Sequence, residues 1–180
     1  LDSAGEGSAS WLIAALDYVI QHADEIEVAN LSLGCVDCNN PAQDEAIANA
    51  VAAGVTIVVS AGNEGHDASR NSPANHPDVI TVSAIADFDG LPGGLAGFTC
   101  YEEQDDTLAN FSNYGAVIDI AAPGVCITST YPLERGGIGT ISGTSMAAPH
   151  VAGAAALLAA SGDYTPAPIR QILVEQGTYD

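Results

Sequence analysis

Lysine is absent from this sequence of 180 residues, and its only Lys/Arg cations are Arg70, Arg135 and Arg170. Against these 3 basic residues stand 23 acidic ones, giving a formal net charge of −20. Such a surface repels phosphate backbones and anionic bilayers, so nucleic acids and membranes are not expected as partners. Cations and basic substrates remain compatible with it. Two origins of the acidity stay open. One is a habitat of high salt, where dense carboxylates stay hydrated and their mutual repulsion is screened. The other is an acidic exported protein. Long apolar runs are also missing. Although 47% of residues are hydrophobic, no run approaches the ~20 residues of a membrane-spanning helix. No basic-then-apolar start resembles a signal peptide. The chain as given is expected to be soluble, with any export signal removed or lying outside it. Its length suffices for one domain with a sizeable core.

The cysteines number 4: Cys35, Cys38, Cys100 and Cys126. An even count favours disulfides in an exported protein. The CxxC spacing of Cys35 and Cys38 also suits zinc or redox chemistry. Zinc would need two further ligands, however, and neither a second CxxC nor a paired histidine is evident. Three pairings are possible, of which Cys35–Cys38 with Cys100–Cys126 is preferred.

Residues 9–23 carry Leu12, Ile13, Leu16, Val19 and Ile20 at helical spacing. Residues 27–33 read as a strand ending at Gly34. A second helix is expected over 41–53, with Pro41 near its start and Gly54 past its end. Short apolar strands follow at 55–60 and 79–85. Residues 86–108 read as a long surface excursion rich in Asp, Glu and Gly, with Leu91–Gly94 as a turn and Cys100 as its tether. Strands resume at 117–122 and 125–130, Gly136 and Gly137 mark a turn, and a last helix covers 166–176. This order implies an α/β fold with a mainly parallel sheet flanked by helices.

The run Gly143-Thr144-Ser145-Met146-Ala147-Ala148-Pro149-His150-Val151-Ala152-Gly153 places a hydroxyl where a helix should start. Serine is a favoured helix-start residue, and unpaired N–H groups there stabilise developing negative charge. Pro149 is expected within the first turn. Upstream, the apolar strand Ile57–Ser60 runs through Ala61 and Gly62 into Asn63. An amide held beyond a strand end suits donation to an oxyanion, although Asn beside Gly also makes simple turns.

The Ser145 string resembles the nucleophile motif of the subtilases, the subtilisin and proteinase K family of serine proteases. Ala61-Gly62-Asn63 is similar to the family's oxyanion segment. The resemblance implies a subtilisin-like fold, Ser145 as nucleophile and Asn63 as oxyanion donor. Gly5, Glu6 and Gly7 resemble an exposed strand to which an extended peptide adds. Ser32, Leu33 and Gly34 resemble one wall of the first specificity pocket, with Ser60, Ala61 and Gly62 as the other. Small residues on both sides imply an open slot for a large apolar P1 side chain. Asp119 resembles a calcium-ligating residue of the proteinase K-like branch, in which carbonyls matching Pro77 and Val79 complete the protein ligands. Calcium is therefore the expected structural cofactor, although Val117 stands where another branch has a second carboxylate.

The family's base and orienting acid precede its serine in the chain. No His-Gly-Thr-His string occurs, and Asp2 lies too close to the Gly5–Trp11 segment to serve as the acid. His150 is on the wrong side of its helix, His22 and His76 read as helix-end and loop residues, and His66 alone could improvise as a base. The chain is thus expected to be part of a longer secreted peptidase whose Asp- and His-bearing segment lies upstream, leaving the sheet incomplete on its N-terminal side. Alone it should turn over little peptide. An apolar sheet edge open to the missing segment or to self-association follows. The alternatives are a non-catalytic binding or self-association module and, ranked last, a hydrolase with a nucleophile elbow, whose acid and histidine would follow the serine.

Overall fold

Alternation along one buried strand sets the layering. The computed structural model describes residues 7–162 and 165–177. In it, every residue of β3 (Thr56–Ser60) is buried. Ile57 and Val59 face a core shared with Leu16, Ala46, Ile47 and Ala50, whereas Val58 faces a second core with Val82, Ala84, Ala147 and Val151. A parallel strand covered on both faces reads as a continuous apolar run for this reason.

The first core is closed by α1 (Ala9–Gln21) and α2 (Pro41–Ala52), and the second by α3 (Thr144–Ser161) and α4 (Pro166–Gln176). In α2, Asn40 Oδ1 accepts the Gln43 N–H at 3.3 Å, Pro41 opens the first turn, and Gly54 takes a left-handed φ of 105° just past the end.

The main sheet joins β1 (Val28–Leu31), β3, β5 (Ile80–Ala86) and β7 (Ile120–Pro123) in parallel. A short β6 (Thr107–Leu108) lies antiparallel to the end of β5. Two small antiparallel pairs flank this sheet. They are β2 (Cys35–Val36) with β4 (Asn71–Ser72), and β8 (Ile127–Thr130) with β9 (Ile138–Ile141).

Several boundaries differ from the sequence reading. The strand expected from 117 begins at Ile120, and the one expected from 125 begins at Ile127. The Gly136–Gly137 turn closes a hairpin whose second strand, β9, is absent from the sequence reading. The excursion over 86–108 is organised by its own carboxylates. Buried Asp105 accepts the N–H groups of Phe88 and Ala96, and Asp106 accepts those of Gly93 and Gly94. These bonds hold Asp105 below the usual carboxylate range. Disulfides join Cys35 to Cys38 and Cys100 to Cys126. Among the described residues, no helix is long and apolar enough to cross a membrane.

Candidate active site

The segments after β1 and β3 meet the first turn of α3. The segment after β7 also approaches the helix start closely because residue 124 is glycine: a Cβ there would meet the Ala84 Cβ at 2.5 Å and the Gly143 carbonyl at 3.0 Å. The Gly124 carbonyl accepts the Gly143 N–H at 2.8 Å, which fixes the height of the helix start.

Ser145 lies inside the helix rather than at its cap, because Gly143 is the capping residue and Thr144 the first helical one. Pro149 consequently falls in the second turn, not the first. A proline there cannot donate to the carbonyl four residues back, which is that of Ser145. That carbonyl accepts the Ser32 hydroxyl instead, at 2.8 Å. The helix start gains its cap from outside, since Asn63 Oδ1 accepts the Thr144 N–H at 2.8 Å. With that cap supplied, Ser145 is released from capping duty.

Thr144 also orients the amide. Its buried hydroxyl donates to Asn63 Oδ1 at 2.9 Å and accepts the Gly62 N–H at 3.1 Å. With Oδ1 committed, Asn63 turns Nδ2 outward as a donor. Neither Asn63 Nδ2 nor the Ser145 N–H has a hydrogen-bond partner among the described residues. These two donors belong to residues that line one cavity, with the half-buried Ser145 at the positive end of an 18-residue helix. The Ser145 hydroxyl itself makes one long contact, 3.4 Å to the Ser32 carbonyl.

A cavity of about 120 Å³ borders Ser145. Leu33 and Gly34 line it from one segment, Ser60, Gly62 and Asn63 from the other. Ala61 is fully buried and Ser32 holds the Ser145 carbonyl, so neither expected wall residue lines the cavity. The lining is also less apolar than expected, since Glu64, Asn71 and Ser72 contribute to it.

Glu64 Oε2 accepts Asn113 Nδ2 at 2.7 Å and Asn71 Nδ2 at 3.0 Å. Burial, the largest single influence, pushes the Glu64 pKa up, but the two amides, the Asn63 backbone and His66 together outweigh it and hold the carboxyl below its usual range. Asn113 is fully buried and also donates to the Ala61 carbonyl at 2.9 Å. Only glycine fits at 62: φ is 102°, and a Cβ would meet Asn71 Nδ2 at 2.3 Å and Asn113 Nδ2 at 2.4 Å.

None of the four histidines hydrogen-bonds Ser145. His66 Nε2 binds Asn71 Oδ1 at 2.8 Å, and His150 Nδ1 binds the Met146 carbonyl at 2.8 Å. His22 and His76 bind the carbonyls of Tyr18 and Asp44. Gly5 and Glu6 lie outside the described residues. Gly7 borders a second cleft with Trp11, Leu12, Leu31, Leu33 and Gly34, continuous through Leu33 and Gly34 with the cavity beside Ser145.

Two of the three residues expected to ligate calcium, Asp119 and Pro77, meet around a side chain. Arg170 Nε and Nη2 donate to Asp119 Oδ1 at 2.8 and 2.6 Å, and Nη1 donates to the Pro77 carbonyl at 2.7 Å. Asp119 Oδ2 accepts the Thr81 N–H at 2.8 Å. Val79 is fully buried nearby in sequence, ahead of β5. Asp119 Oδ1 and the Pro77 carbonyl, two of the oxygens a calcium ion would use, thus accept from a guanidinium.

Sequence reasoning missed Thr144, Glu64, Asn71, Asn113 and Arg170. The first lay within the quoted motif, and Glu64 directly follows Asn63. The others had no local signal.

A helix-borne serine flanked by a locked asparagine amide, on the edge of a parallel α/β sheet, is the arrangement of a serine hydrolase. The chain belongs to the subtilase family, whose sequence profile matches residues 1–178. It is 43% identical over 170 residues to a subtilisin-like protease of Coccidioides posadasii, covering 92% of this chain and 37% of that protein. It is 45% identical to an extracellular serine proteinase of a Thermus species, covering 87% of this chain and 34% of that protein. A crystal structure of a cold-adapted subtilisin-like serine proteinase superposes with a TM-score of 0.84 at 35% identity, covering 100% of this chain and 59% of the other. The chain therefore spans only a little over one third of the length of these curated relatives (37% and 34%).

Proposed function

We propose that this chain carries the nucleophile and oxyanion site of an exported subtilisin-like endopeptidase. The lock of Thr144 on Asn63 Oδ1 carries the reading, because it leaves Asn63 Nδ2 and the Ser145 N–H as paired donors beside one hydroxyl. An extended peptide runs along Leu33–Gly34 as an added strand, with its P1 side chain in the cavity bordered by Ser145 and Glu64. Ser145 Oγ attacks the scissile carbonyl and yields its proton to a base. The carbonyl oxygen gains charge and is held by the two N–H donors. Collapse of the tetrahedral intermediate expels the amine, which takes that proton, and water then releases the acyl group by the same steps.

The base is a histidine outside this chain, because all four of its own make other hydrogen bonds. The upstream part of the protein supplies it and pairs with the outer edge of β1, which among the described residues pairs only with β3. Export is supported by the Thermus relative, named an extracellular serine proteinase, and by the two disulfides.

Fluorophosphonate labelling read by intact mass tests the reading. The full-length protein should gain one adduct that Ser145→Ala abolishes, and this chain alone should label far more slowly. A second reading, a peptide-binding module without chemistry, is favoured by the lack of a histidine on Ser145. Peptide binding by folded full-length protein that never labels would establish that alternative.

A further inference from the structure

We propose that Arg170 is a built-in cation that takes the place of a metal ion at the junction of β5, β7 and α4. Asp119 immediately precedes β7, Pro77 lies in the turn before β5, and Arg170 projects from α4. All three nitrogens of the guanidinium are engaged, two on Asp119 Oδ1 and one on the Pro77 carbonyl. The second carboxylate oxygen takes the Thr81 N–H, and the Asp119 N–H returns a bond to the Thr81 carbonyl at 3.0 Å. Both Asp119 oxygens and the Pro77 carbonyl therefore already accept hydrogen bonds. A calcium ion needs six to eight oxygens at about 2.3–2.6 Å. Here it would have to displace a positive group from a carboxylate whose side chain is only 10% exposed.

The arrangement performs the work a structural ion does. It neutralises Asp119 and ties a loop carbonyl to a strand start, and it also pins α4 to the sheet from 93 residues away. A planar, permanently charged group suits that role better than lysine, which this chain lacks altogether. The junction is thus held at any calcium concentration.

The test uses the full-length protein and compares wild type with Asp119→Asn in saturating calcium and in chelator. The account expects Asp119→Asn to lower the unfolding midpoint by roughly 5 °C or more, by the same amount in both conditions. A deficit present in calcium and absent in chelator would overturn it, since Asp119 would then act through the ion. Where the variant does not fold, wild-type crystals soaked in terbium decide the matter. Absence of an anomalous peak bonded to Asp119 and Pro77 supports the proposal, and a peak at that place overturns it.

Discussion

The Ser32 hydroxyl donates to the Ser145 carbonyl at 2.8 Å, filling the acceptor that Pro149 leaves unpaired in the helix. The nucleophile's backbone is thereby tied to the segment on which substrate is proposed to lie. Ser32→Ala should lower kcat about 10-fold with KM nearly unchanged, the size of one net hydrogen bond of ~1.4 kcal/mol. Steady-state kinetics on the full-length enzyme checks it. A change carried by KM would assign Ser32 to substrate binding instead.

Glu64 sets a pH dependence whose sign follows from its partners. Burial raises its pKa, but hydrogen bonds from Asn71, Asn113 and the Asn63 backbone, with His66 nearby, together depress the folded value below the ordinary 4.5. The carboxylate's contribution is therefore fully present above about pH 4.5 and is lost as pH falls through the lower folded value. Unfolding midpoints measured from pH 3 to 6 should show the wild type losing more on acidification than Glu64→Gln does. Parallel curves would remove Glu64 from the account.

The same carboxylate gives the pocket a negative wall. Glu64→Gln should reduce kcat/KM for substrates with Lys or Arg at P1 by several-fold relative to substrates with uncharged P1 residues, by loss of one partly screened charge interaction of about 1 kcal/mol. An unchanged ratio across such a substrate panel would mean that P1 does not reach Glu64.

Gly62→Ala should cost about 2–4 kcal/mol, from a left-handed φ and from overpacking against the two asparagine amides. Urea unfolding measures it directly. A cost below about 0.5 kcal/mol would show that the asparagines and Glu64 can withdraw without penalty.

Charge distribution leads to a further expectation. With a net charge of −20 and no lysine, self-repulsion opposes the folded state, and added salt screens it. Unfolding midpoints should rise as NaCl is raised toward molar concentrations. A midpoint that stays flat would exclude adaptation to high salt.

Much of the scaffold was legible because its signals are local. Helix α4 runs over 166–176 as read, and Pro41 and Gly54 bound α2 by chemistry visible within a few residues. That Ser145 and Asn63 border one cavity follows from segments singled out by contiguous motifs. What escaped depends on partners distant in sequence. Thr144 clamps Asn63 across 81 residues, and Arg170 reaches Asp119 across 51. Placing Ser145 at the cap failed because a side chain from another segment supplies that cap. Pro149 misled for a related reason: the expected penalty of an interior proline is offset by Ser32.

The central claim is that Asn63 and the Ser145 N–H form one oxyanion site. Crystallising the full-length protein with a peptide phosphonate bonded to Ser145 Oγ tests it most directly. The account predicts a phosphoryl oxygen within about 2.7–3.1 Å of both Asn63 Nδ2 and the Ser145 nitrogen. An adduct on Ser145 whose oxygens point away from Asn63, or one formed on another residue, would contradict it.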